Sequence, residues 1–167
     1  MDFIQQFSNW TKGDLIQAKL MIAGIIIFCV PLIFYSTKTS DVFFKGLIIP
    51  LSILSLMLLS YGGYLLVTKG KEIQRVEKEY SKNHQLTLTK EYIKAKKDSK
   101  SYVIFKTIWV SLFILSIFLY LLFDSCYMKG LSFGFIILFL VLFMTDTFFH
   151  ARSKTYLSFI QESSRIN

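Results

Sequence analysis

The sequence predicts an all-α integral membrane protein: four transmembrane helices forming two like-oriented helical hairpins, with an N-terminal interfacial helix and a cytoplasmic helical hairpin. Three observations carry this. Apolar residues gather into four long runs, basic residues concentrate on alternate connections, and the two halves align at an offset of 84 residues.

The 167-residue chain is 53% apolar, with 17 Phe and a mean hydropathy of +0.50. A soluble domain of this size interleaves polar residues among the apolar ones. This chain separates them, and about 20 consecutive apolar residues are what roughly 30 Å of hydrocarbon requires. The runs lie at about 18–36, 43–67, 103–123 and 129–149. Helices are the open-ended element that satisfies its own backbone in lipid. Pro31, in the outer half of the first span, predicts a kink; Pro50 falls early in the second, where a missing N–H costs less. The first run is no cleaved signal: its polar lead-in is long and no small-x-small site follows.

Ahead of the first span, residues 1–13 place Phe3, Ile4, Phe7 and Trp10 on one helical stripe, which predicts an amphipathic helix lying in the interface. Asp14, with Gln17 three residues on, reads as the N-cap of the first span, so the first transmembrane hairpin covers 14–68. Residues 69–102 then carry ten Lys and Arg and read as a basic helical hairpin, broken at Ser81-Lys82-Asn83-His84 and restarted by a cap at Thr89. That segment alone is too short for a core of its own. A second transmembrane hairpin covers 103–150, and the tail 151–167 adds Arg152, Lys154 and Arg165. The two remaining loops, 37–42 and 124–128, hold little positive charge, with Lys38, Lys45 and Lys129 at or near them. The bias puts both termini and the central segment in the cytoplasm. The Lys-, Ile- and Phe-rich wording points to an AT-rich bacterial genome, hence to the inner membrane.

At the offset of 84, Lys12-Gly13-Asp14 falls on Lys96-Lys97-Asp98, and Phe44-Lys45-Gly46-Leu47 on Met128-Lys129-Gly130-Leu131. Each half crosses twice, so the repeat is parallel, about an axis near the membrane normal. In each Lys-Gly step the lysine snorkels to the outer interface and the glycine permits the turn into the next helix.

Ionisable residues inside spans are costly and mark functional candidates. Lys106, Asp146 and His150 qualify: the first lies one turn into the third span, the others near the end of the fourth, four residues apart on one face. Lys106 and Asp146 should pair, directly or through water. A second candidate is the small and polar stripe Ser52, Ser55, Ser60, Gly62 and Gly63, suited to close helix packing or an oligomer contact.

No catalytic, cofactor or metal site is expected. Cys29 and Cys126 form no CxxC motif, and His84 and His150 stand far apart. The net charge of +8 fits the positive-inside pattern rather than nucleic-acid binding, since no folded basic domain is present. The functional expectation is a non-enzymatic scaffold, regulatory or accessory subunit. Its partners would be anionic lipid headgroups, further copies of itself, and a cytoplasmic protein at 71–100. A homo-oligomeric channel is the alternative, and a lipid-modifying enzyme a distant third.

Overall fold

The computed structural model describes residues 3–165, and side chains through 162. The ends of the first and last segments, including the Arg165 side chain, lie outside it. It is built from α1 (Phe3–Gly24), a π-helical turn (Ile25–Cys29), α2 (Val30–Lys38), α3 (Val42–Lys82), α4 (His84–Leu122) and α5 (Cys126–Arg165). With α1, the π turn and α2 running on as one rod, four helices are long and apolar enough to cross a membrane. The chain thus has the pattern of a multi-pass membrane protein.

Pro31 explains the π turn. Its ring carries no N–H and crowds the carbonyl four residues back. The helix absorbs this just ahead of Pro31, where the Val30 N–H reaches Ile25 O instead of the usual i−4 carbonyl. Asp41 starts α3, its carboxylate accepting from the Phe43 N–H at 2.9 Å. The cap of α4 is Asn83, whose side chain accepts from Leu86 N–H at 3.0 Å, and not Thr89, which bonds back to Gln85 O within the helix. One residue therefore separates α3 from α4.

The loops 39–41 and 123–125 lie at the same end. There Tyr35 meets Phe44 and Phe43 meets Phe133 edge or tilted, and α3 crosses α5 backbone to backbone. A Cβ on Gly130 would stand 1.9 Å from Phe43 O, and one on Gly46 2.3 Å from Tyr127 O. One turn further on, a Cβ on Gly134 would stand 2.2 Å from the Pro50 ring. No glycine has a positive φ, and both Lys-Gly steps lie inside helices. The expected turning role of Gly46 and Gly130 is therefore corrected: they are glycine because two helix backbones touch there. Within the single chain the expected stripe packs only in part. Ser52 and Ser60 are exposed, half-buried Ser55 bonds its own Leu51 O, and nothing approaches Gly63. Gly62 alone makes a helix contact, against Ala18 and Ile22 of α1.

Below the crossing, Leu54, Leu58 and Leu65 of α3 pack with Leu138, Leu142 and Phe149 of α5 and with Ala18, Met21 and Ile25 of the first rod. α4 lies against α5, and the backbones of α1 and α4 stay apart. In its most apolar 18 residues α4 is 6% buried, against 22–33% in the other three rods.

At the lysine-rich end the helices run on past the apolar spans and build a second core. Phe3, Phe7, Val76, Leu88, Ala95, Tyr156 and Ile160 are buried there, with Trp10 stacked on Tyr156 at 4.6 Å. Fully burying a side chain such as Phe7, about 1.5–3 kcal/mol, outweighs what a surface position would gain. This corrects one expectation: the stripe of residues 3–10 faces protein rather than headgroups, because α1 is continuous and docks on α3 and α5. The segment 69–102, too short for a core of its own, shares this one with α1 and α5.

Candidate functional site

Three groups predicted from sequence meet where α4 packs on α5, with partners other than those expected. Lys106 lies on α4, and Asp146 and His150 lie one turn apart on α5. The Lys106 ammonium is 2.7 Å from His150 Nδ1, and Ser99 Oγ is 3.2 Å from His150 Nε2. With a lysine donor on one ring nitrogen, that nitrogen accepts and the other carries the proton toward Ser99. Asp146 instead accepts from the Trp109 indole N–H at 2.7 Å. The expected direct pair of Lys106 with Asp146 is therefore corrected: no ion pair joins them. The reason is spacing. Trp109 and Lys106 sit three residues apart on α4, Asp146 and His150 four apart on α5, so each α4 group meets one α5 group. Two successive rungs across the antiparallel helices result in place of one salt bridge.

A larger polar cluster lies one to two turns nearer the lysine-rich end. Asp14, on the face of α1 that also carries Phe7, Ala18 and Met21, is buried with its side chain 4% exposed. It takes Lys69 of α3 at 3.2 Å and Arg152 of α5 at 3.1 Å. Gln17 accepts from Arg152 and donates to Thr145 O. Lys69 also reaches Glu72 at 3.3 Å and lies over the Trp10 ring at 4.0 Å. Glu72 further accepts from Lys94 of α4 and, at 3.5 Å, from Arg75. One network thus ties the three rods α1, α3 and α5 to α4. The expectation that Asp14 and Gln17 cap a helix start is corrected: both are mid-helix and hold other helices.

No family model, curated protein or solved structure matches the chain. Its chemistry is read from these groups alone.

Sequence reasoning did not bring this cluster together: it read Asp14 and Gln17 as a cap and Arg152 as tail charge, and gave Lys69, Glu72 and Lys94 no site role. A signal was present at Asp14, which occupies a place in the stripe 3, 7, 11, 14, 18, 21 that otherwise reads as a core face. A carboxylate on such a face needs buried cations. Lys94 carries the mark of this enclosure: burial, with Lys69 adding repulsion, holds its ammonium below the usual lysine range. Burial likewise pushes the carboxyl of Glu91, in the second core, above the usual range. Among the described residues no group of three His, Cys, Asp or Glu side chains converges as a metal would need.

The cluster borders a cleft of about 490 Å³ floored by α3, with Trp10 and Asp14 of α1 on one wall and Lys94, Asp98 and Tyr102 of α4 on the other. A second cavity of about 480 Å³, almost wholly apolar, lies where the first rod meets α3 and α5, lined by residues such as Met21, Phe28, Leu54 and Val141. What the first arrangement offers is fixed charge at the edge of an apolar span, in a space large enough for a small ligand.

Proposed function

We propose that the chain is a non-enzymatic multi-pass component of a bacterial inner membrane, a scaffold, regulatory or accessory subunit. Its lysine-rich end, with both termini, faces the cytoplasm and anionic headgroups. Two like-oriented hairpins related by the 84-residue offset form the bundle. Support for that repeat lies in reciprocal contacts: Gly46 abuts Tyr127 and Gly130 abuts Phe43, each pair the offset image of the other, and Pro50 abuts its own image Gly134. A twofold axis between the halves produces contacts of this kind.

The observation that carries the reading is the sparse burial of α4. Ile114, Phe118 and Leu121 are 59–75% exposed along one side of it. Lipid solvates such a face, and so does another helix, whose association in a bilayer rests on packing. The polar groups that enzymes or coupled carriers use are here engaged with one another, as with Trp109 and Asp146. A docking role for the basic segment at 71–100 falls on exposed lysines such as Lys78, Lys82 and Lys90, since Val76, Leu88 and Ala95 are committed to the core.

In-cell crosslinking tests this. The reading expects a partner, or a second copy, crosslinked through α4 or through the exposed lysines. That partner should be lost when Phe118 and Leu121 are changed to Ala or when Lys78, Lys82 and Lys90 are changed to Gln. A crosslink pattern unchanged by both sets overturns it. The alternative, a homo-oligomeric pore, draws on Ser52, Ser60, Thr107 and Ser111, polar residues exposed within the spans. It requires ion flux from the purified chain in liposomes, and silence across ionic conditions removes it.

A further inference from the structure

The cleft between α1 and α4 has the layout of a receptacle for an amphiphile. Its floor runs along α3 from Tyr61 and Leu65 through Thr68 to Glu72 and Arg75. Fourteen rises of about 1.5 Å, from residue 61 to residue 75, make this about 21 Å, from well inside the second span to beyond its end. The deep end is aromatic and aliphatic, and the far end is ionic. Tyr64, 62% exposed, stands on the rim between the two.

Charge in the cleft is matched unevenly. Lys69, Lys71, Arg75 and Lys94 line it against Asp14, Glu72 and Asp98, an excess of one positive charge. Three of the cations crowd on Glu72, and the Asp14 carboxylate is shared between Lys69 and Arg152, the latter outside the cleft. Asp98 joins no ion pair among the described residues and lines the α4 wall one turn from Lys94. The volume of about 490 Å³ lies within the range of small-ligand sites, about 300–1,000 Å³.

We infer that this cleft binds the headgroup of an anionic phospholipid bearing hydroxyls, a phosphodiester with a polyol such as glycerol. The phosphate lies among Lys94, Arg75 and Lys71, where it supplies the missing negative charge. The polyol hydroxyls donate to Asp98, and an acyl chain descends along Tyr64, Leu65 and Tyr61. A charge-assisted bond to phosphate is among the stronger polar contacts, and lysine and arginine are its usual donors. This rests on the proposal that the lysine-rich end faces headgroups, and adds to it one defined site.

Binding is measured on the purified full chain in detergent, by native mass spectrometry and by thermal shift. The probes are short-chain phosphatidylglycerol, short-chain phosphatidylcholine and water-soluble glycerol phosphate. The site predicts one tightly held phosphatidylglycerol and preference over phosphatidylcholine. Lys94→Gln with Arg75→Gln should weaken binding about tenfold or more, while Lys78→Gln with Lys82→Gln leaves it unchanged. Should the first pair unfold the protein, Asp98→Ala decides alone. It removes a negative charge, so diffuse attraction predicts tighter binding, whereas loss of the hydroxyl acceptor predicts weaker binding. Equal losses from the two double variants, or tighter binding by Asp98→Ala, overturn the site while leaving the end as headgroup-facing. Glycerol phosphate binding as well as the lipid overturns the lipid as the source. Absence of any phosphatidylglycerol preference overturns both the site and the headgroup-facing proposal.

Discussion

Gly130→Ala should break the crossing of α3 and α5. The added methyl would stand 1.9 Å from Phe43 O, 2.8 Å from its carbonyl carbon and 3.1 Å from its Cα. Ordinary contact begins near 3.4 Å, so about 1.5 Å of separation is required, and every neighbouring atom is backbone that no rotamer change can move. A gap of 0.5–1 Å already forfeits about a quarter to a half of a van der Waals contact. Overpacking that side chains can relieve costs about 1–3 kcal/mol. This case should exceed it, at about 3 kcal/mol or more, with Gly46→Ala close behind. Gly70→Ala is the control: nothing lies within 4 Å, and replacing a helical glycine gains about 0.5–1 kcal/mol. Thermal unfolding of the detergent-purified variants, followed by size-exclusion of the monodisperse fraction, reads all three. Gly130→Ala unfolding at the wild-type Tm, or Gly70→Ala losing as much as Gly130→Ala, would refute the reasoning.

Two further outcomes follow from the lysine-rich end. Glu91 is 6% exposed and burial raises its carboxyl pKa, so the folded state holds that proton more tightly than the unfolded one. Its protonation supports the fold in acid, and that support is lost as pH rises through the raised value. Glu91→Gln should therefore unfold at higher temperature than wild type at neutral pH, with the advantage vanishing toward acid; an advantage constant with pH contradicts this. Arg152→Ala removes donors to buried Asp14 and to Gln17 but leaves Lys69, so it should cost about 2 kcal/mol. Adding Asp14→Asn should recover part of that loss in a thermal-shift cycle. A double variant no better than the sum of the singles would mean that Asp14 is not held by Arg152.

The spans were legible because membrane burial leaves a continuous apolar run, which no other constraint erases. Lengths were not. α3 runs unbroken from Val42 to Lys82 because charged residues such as Glu72 and Lys78 are good helix formers, and hydropathy is blind to helix that has left the hydrocarbon. The stripe Phe3, Phe7, Trp10 was read correctly as one apolar face, yet a face does not name what covers it. Tyr156 and Val76, far away in sequence, decided that. At the polar site, reading each residue by depth brought Lys106, Asp146 and His150 together. It could not assign partners, because nothing in the sequence marks the Trp109 indole as the donor to Asp146. The glycines carried the most readable signal and the wrong explanation. Their recurrence at 46 and 130 was visible, but that the two positions meet across the bundle belongs to three dimensions.

The glycine contacts have one more consequence. Where another residue would carry Cβ, glycine carries a second α-hydrogen, and at Gly130 and Gly46 these point toward Phe43 O and Tyr127 O. Weak C–H···O bonds of about 0.5–1 kcal/mol each arise from such approaches. Their strength owes nothing to the expulsion of water, so exchanging lipid for detergent should leave this joint intact while contacts at the water-facing end respond to salt and temperature.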